Sequence, residues 1–249
     1  MTELDLIIDL HLGSGRQGPG GDEETRLAIK LAGLEGRADL EIADIGSGTG
    51  AAARVLARNL DAQVTAVDLF PEFLAELNAA ADAEDVSQSI TTVLARMEAL
   101  PFEDEWFDVL WSEGAVYNMG FKAGVETWRR FLKPGGVLAV SELTWLTDER
   151  PAVLQSHWDA AYNEVDTASA KMAVLEKAGY APIGYFALPK RCWLENYYRP
   201  MQARFGAFLE RQSNSDAARA LVDAESAEID LYERFSDFVS YGFYIVRKT

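Results

Sequence analysis

The run Leu40-Glu-Ile-Ala-Asp-Ile-Gly-Ser-Gly-Thr-Gly50 constrains this chain more than any other stretch. Leu40, Ile42, Ala43 and Ile45 read as a short buried strand, because a parallel sheet covered on both faces favours unbroken apolar runs. Gly46, Gly48 and Gly50 then turn the chain into a helix expected to begin near Ala51. Glycines in such a turn reach left-handed backbone angles and let main chain approach a ligand closely. The free N–H groups of the following helix point at the same place. The stretch therefore predicts a small-molecule cradle at the carboxyl end of a first strand. Gly46-x-Gly48-x-x-Ala51 also satisfies the dinucleotide fingerprint. Asp44 argues against that ligand, since a carboxylate there repels a pyrophosphate and suits a cationic group.

Downstream, strand and helix alternate. Ala51 to Asn59 predicts a helix and Gln63 to Val67 a second strand, with Asp68 at its tip. A carboxylate one strand-turn-helix-strand unit after the glycines can accept both hydroxyls of a ribose. The remaining strands are expected at Ser89 to Leu94, Phe107 to Ser112, Val137 to Leu143, Ala181 to Leu188 and Ser240 to Val246. Helices are expected at Pro71 to Ala81, Gly124 to Phe131, Thr147 to Glu164 and Ala168 to Ala178, with Leu132-Lys-Pro-Gly-Gly136 as a turn. This alternation implies an α/β, doubly wound, mostly parallel sheet with right-handed crossovers. Before the first strand, residues 1–12 form an amphipathic helix and Asp22 caps another. Between them the glycine-rich segment up to Gly21, with Arg16 and Gln17, reads as a lid loop in which Arg16 pairs a carboxylate. Pro189 to Asp237 is a helical insertion before the last strand. With no internal repeat or linker, the chain is expected to be a single domain over 1–249, with 1–21 as N-terminal helix and lid loop and 189–237 as the insertion.

Composition narrows the partners. The net charge of −17 argues against a grip on nucleic-acid phosphates. One cysteine, Cys192, permits no internal disulfide, and two distant histidines, His11 and His157, make no metal site. No signal peptide is evident, and no apolar run approaches the ~20 residues of a membrane span. A cytoplasmic protein acting on a small molecule is expected.

Five motifs in order, Asp44-Ile-Gly-Ser-Gly-Thr-Gly50, the acid Asp68, Leu100-Pro-Phe102, Phe107-Asp-Val-Leu110 and Leu132-Lys-Pro-Gly-Gly136, resemble the class I S-adenosylmethionine-dependent methyltransferases. The resemblance covers roughly Asp22 to Leu188 and the last strand. It implies a Rossmann-like, seven-stranded sheet with the last strand antiparallel between the fifth and sixth. It also implies S-adenosylmethionine as methyl donor, S-adenosylhomocysteine as product, and a small-molecule acceptor. The cofactor-binding residues so implied are Arg16, Asp44, Gly46, Ser47, Gly48, Asp68, Leu69, Arg96, Met97 and Glu113. Where many members carry an aspartate after the third strand, this chain has Arg96, so adenine recognition falls to the backbone of Met97, to Leu69 and to Glu98.

The acceptor side is expected at the tips of strands four and five and the following helix. Glu113, Tyr117 and His157 are the candidate catalytic groups, and Tyr117 and Trp145 the candidate pocket walls. The 189–237 insertion is expected to cover the substrate pocket or to form a homodimer surface. Two rivals stand beside this reading: a non-catalytic S-adenosylmethionine-binding sensor or partner subunit, and a dinucleotide-dependent oxidoreductase.

Overall fold

A computed structural model describes residues 2–249. Two helices, α1 (Glu3–His11) and α2 (Asp22–Leu31), precede the sheet, and β1 (Leu40–Ile45) opens it. Then come α3 (Ala51–Asn59), β2 (Ala62–Asp68), α4 (Pro71–Ala83), β3 (Ile90–Leu94), β4 (Phe107–Glu113), α5 (Phe121–Trp128) and β5 (Leu132–Trp145). The second half holds α6 (Ala152–Ala161), β6 (Asp166–Thr167), α7 (Ala168–Lys177) and β7 (Tyr180–Ala187). The insertion follows as α8 (Lys190–Trp193), a π-helical turn over Leu194–Tyr198, α9 (Arg199–Gln202), α10 (Phe205–Arg211) and α11 (Asp216–Phe235). The last strand is β8 (Val239–Lys248).

The strands lie in the order β3-β2-β1-β4-β5-β8-β7, and β6 adds a two-residue pairing at the end of β5. Among the described strands only β8 runs antiparallel, between β5 and β7. This is the mostly parallel Rossmann-like sheet expected, with one short extra strand. Its apolar strands bury on both faces. Leu40, Ile42 and Trp111 pack beneath α2, α3, α4 and the insertion, while Ile45, Leu110 and Phe107 pack against α5 and α7.

Three local expectations are corrected. Asp22 does not cap α2: Gly21 does, in extended backbone, and Asp22 is the first helical residue. Its carboxylate instead meets Arg16 and Arg58. The Leu132-to-Gly136 turn lies inside β5 as a bulge, since Leu132 pairs with Phe107 but Val137 with Val109. Gly135, at φ +75°, supplies the left-handed step that excursion needs. Finally, the helix expected from Thr147 starts only at Ala152, because Pro151 can sit at a helix start but not inside one. Among the described residues no helix is long and apolar enough to cross a membrane.

Candidate active site

The order of β1 and β4 reverses the winding of the sheet, and ligands of open α/β sheets bind in the crevice at that point. Here the crevice is framed by the tips of β1, β2 and β4. Gly46 and Gly48 take φ of +74° and +54°, angles a side chain resists. The N–H groups of Gly46 and Ser47 both donate to the Val67 carbonyl at 2.9 Å, so the loop is anchored across to β2. Asp68, at the tip of β2, accepts the Gly48 N–H at 2.8 Å and the Phe70 N–H at 3.0 Å. Its carboxylate thus braces the glycine loop and the turn into α4, with lone pairs left over.

The glycine-rich segment between α1 and α2 folds over this loop. The Gln17 side-chain oxygen accepts the Thr49 N–H at 2.9 Å, and a Cβ on Gly48 would stand 2.4 Å from that same oxygen. Arg16 donates to Glu113 at 2.9 Å and to Asp22 at 3.1 Å. The carboxylate that Arg16 meets within the chain is therefore Glu113, at the tip of β4. Glu113 also accepts the Thr25 hydroxyl at 2.7 Å and the Trp111 indole N–H at 3.0 Å. With three donors on one carboxylate, Glu113 acts as an anchor for the segment. The insertion holds the segment from outside: Asn196 donates to the Gly20 carbonyl at 2.6 Å, and Arg204 to the Leu10 carbonyl at 2.6 Å.

Beneath lies a cavity of about 500 Å³. Arg16, Asp44, Gly46, Ser47, Gly48, Asp68, Leu69, Arg96, Met97 and Glu113 all line it, and so does Tyr117. Leu69 offers an exposed apolar surface to one end. The Trp128 indole N–H takes the Met97 carbonyl at 2.9 Å, so any backbone hold by Met97 falls to its N–H. Arg96 lies well exposed, 3.4 Å from Glu98.

The chemistry of this lining suits S-adenosylmethionine. Asp44 is fully buried, and one of its carboxylate oxygens has no partner, as has the Ser47 hydroxyl. Burial, and then the charges of Glu113 and Asp68, hold the Asp44 carboxyl well above the usual carboxylate range. Three carboxylates around one buried arginine make a pocket short of positive charge. An α-ammonium and a sulfonium supply it, a vicinal ribose diol matches Asp68, and Leu69 offers an apolar surface to an adenine face.

Two expected residues fall elsewhere. His157 on α6 is outside the cavity lining, half-buried, with its ring edge-on to Trp158 at 4.9 Å. Trp145 is buried, with the Arg150 guanidinium 4.3 Å above its ring. In their stead the structure brings His11, Gln17 and Pro19 into the lining. Gln17 had a signal, being beside Arg16 in the same loop. His11 had only its place at the end of an amphipathic helix.

Residues 43–140 match the family model described as a methyltransferase domain. An uncharacterized protein of Haemophilus influenzae is 26% identical over 191 residues, 68% of this chain and 75% of that protein. The glycine/sarcosine/dimethylglycine N-methyltransferase of Actinopolyspora halophila is 32% identical over 133 residues, 51% of this chain but only 23% of that enzyme's length. In three dimensions a S-adenosylmethionine-dependent methyltransferase from Geobacter sulfurreducens, solved with S-adenosyl-L-homocysteine, superposes with a TM-score of 0.85 over 98% of both chains at 17% identity. Sheet order and structural likeness agree on the fold of S-adenosylmethionine-dependent methyltransferases, and residues 43–140 of the chain match the methyltransferase-domain family.

Proposed function

We propose that this protein transfers the methyl group of S-adenosylmethionine to a small-molecule acceptor bound beside Tyr117. When bound, the cofactor supplies a methyl group on a positively charged sulfur. The observation that carries the reading is the unsatisfied Asp44 carboxylate, buried at the centre of an acidic cavity behind a glycine loop. Asp44 and Arg16 would hold the two ends of the amino-acid moiety, and Asp68 the ribose. Gly46, Ser47 and Gly48 would carry the backbone close, with Leu69, Met97, Glu98 and Arg96 around the base. The folded-over segment of residues 13–21 keeps water out, which favours in-line placement of donor and acceptor.

Of the three candidate catalytic groups, Tyr117 alone combines a place in the lining with an uncommitted position beside the acceptor side. Glu113 serves the anchoring of Arg16. His157, outside the cavity, serves the packing of α6. We further read the protein as cytoplasmic, on its net charge of −17 and its one buried thiol. That same charge disfavours nucleic acid as substrate. The exposed face of the 189–237 insertion is the surface we assign to a homodimer.

Calorimetric titration with S-adenosylmethionine, S-adenosylhomocysteine and NAD tests the cofactor. Binding of the first two and not of NAD is expected. Asp68→Ala should weaken both by about 1.5–3 kcal/mol, the range for hydrogen bonds to a charged group. Binding of NAD alone would overturn the reading, and unchanged affinity in the variant would remove Asp68 from the ribose site.

A further inference from the structure

Beyond the cavity lining stand two carboxylates that no cation among the described residues pairs. Glu225 and Glu228 stand one turn apart on α11, both half-buried, and among the described residues neither makes a salt bridge. Glu228 accepts only the Tyr198 hydroxyl, at 2.9 Å. Burial, and next the Glu228 charge, push the Glu225 carboxyl up to about 7. Tyrosines surround the pair. Tyr197 lies against Tyr198 at 5.1 Å, and Tyr241 reaches Tyr198 through Trp193 at 4.9 and 5.8 Å. Burial first, and then the charges of Glu225 and Glu228, raise the Tyr197 hydroxyl; burial and then Tyr117 and Glu142 raise that of Tyr241.

This cluster adjoins the cofactor cavity at three points. Tyr117 lines both. Gly114, in the cavity wall, lies so close to the Tyr241 ring that a Cβ there would stand 2.8 Å from a ring carbon. His11, also in the wall, stacks on Tyr197 with centroids 6.1 Å apart and rings nearly parallel. It is buried, and its Nδ1 has no partner. His11 is not the missing cation: burial and then the Arg204 charge depress it to about 4, leaving it neutral at pH 7. Arg204 itself is engaged by the Leu10 and Leu12 carbonyls and by Ser14. Electron-rich rings and free carboxylates with an orphaned imidazole nitrogen complement an organic cation.

We propose that this cluster, beside the cofactor cavity, forms the acceptor subsite and that the acceptor is a small molecule bearing a basic amine, held by Glu225 and Glu228 among Tyr117, Tyr197 and Tyr241. The proposal rests on the methyltransferase reading above. The ammonium form binds and yields its proton to Glu225. The freed nitrogen lone pair then forms the N–C bond as the S–C bond breaks and its electron pair stays on sulfur, so one positive charge passes from sulfur to nitrogen. Both the entering and the leaving amine are cations that the cluster favours.

The test is binding to the full chain saturated with S-adenosylhomocysteine, using choline and 2-(dimethylamino)ethanol against their carbon isosteres 3,3-dimethylbutan-1-ol and 3-methylbutan-1-ol. At least tenfold preference for each cation over its isostere is expected. The Glu225→Gln, Glu228→Gln double variant should lose that preference while its S-adenosylhomocysteine affinity stays at the wild-type value, which also reports that it folds. Absence of preference in the loaded wild type, or its survival in the double variant, would overturn the amine assignment and leave the methyltransferase reading standing. Failure of S-adenosylhomocysteine to bind would overturn both.

Discussion

Asp44 shows how a single residue ties the fold to the proposed ligand site. Its position, two residues before Gly46, follows from the strand, which delivers alternate side chains to one face and ends at the cradle. Once there it has lost its water, and Glu113 and Asp68 add like charge. A carboxyl in that setting keeps its proton well above the usual range. A ligand ammonium beside it reverses the balance and favours the anion. S-adenosylhomocysteine binding should therefore release protons at any pH where Asp44 is still protonated in the free protein, and affinity should rise with pH until Asp44 ionises without the ligand. Calorimetry in two buffers of different ionisation enthalpy measures that release. Proton uptake, or release undiminished in Asp44→Asn, would show that another group titrates.

At the scale of elements, β5 and α7 are joined by a buried pair. Glu142 and Lys171 are 1% and 2% exposed with N and O 3.6 Å apart, too far for a good hydrogen bond. Burial pushes Glu142 up to about 7 against the pull of Lys171, and burial likewise lowers Lys171. Both are drawn toward neutrality, the usual outcome when desolvation outweighs attraction. The Lys171 ammonium also lies 4.4 Å from the Phe121 ring centre, which ties α7 to α5. Glu142→Gln leaves that lysine without its anion and should cost about 3–5 kcal/mol, whereas Glu142→Gln with Lys171→Met should recover most of it. Urea unfolding of the two variants measures the difference; equal losses would mean that the pair does not couple.

No sequence period announces such a pair, since its partners are far apart in the chain. What was legible was local. The apolar runs placed six of the seven long strands within about two residues, inside the usual error of boundaries. They failed only at β5, where Lys133 to Gly136 looked like the end of a helix and is a bulge. The same limit governs the site. The glycines, Asp44 and Asp68 share one βαβ unit, and their spacing implies their convergence. His11, Glu225 and Glu228 reach the cavity region only because the insertion packs onto α1, a contact that no local pattern encodes.

For the whole molecule the consequence is a cover made of two remote segments. Arg204 on the insertion binds the Leu10 and Leu12 carbonyls and Ser14, and Asn196 binds the Gly20 carbonyl. Arg191 adds ion pairs to Glu23 and Glu24 at 2.6 and 2.5 Å. Residues 13–21 are tied to the sheet side through Arg16 with Glu113, through Gln17 and Ser14 with Thr49, and through the Gly13 N–H with Glu76 on α4. The cover should therefore open by releasing those contacts, with the insertion and the N-terminal segment moving together. Hydrogen exchange reads this directly, because local opening sets the rate at which each amide exchanges. S-adenosylhomocysteine should slow exchange in residues 13–21 and in α10 and α11 by a common factor. Arg204→Ala should break the coincidence, leaving protection in the glycine loop while the insertion exchanges at its ligand-free rate. The variant's affinity should also fall about tenfold, near the low end for losing hydrogen bonds to a charged group. Protection of the insertion that survives Arg204→Ala would mean that it is held by its own packing on the sheet, and that the cover is the N-terminal segment alone.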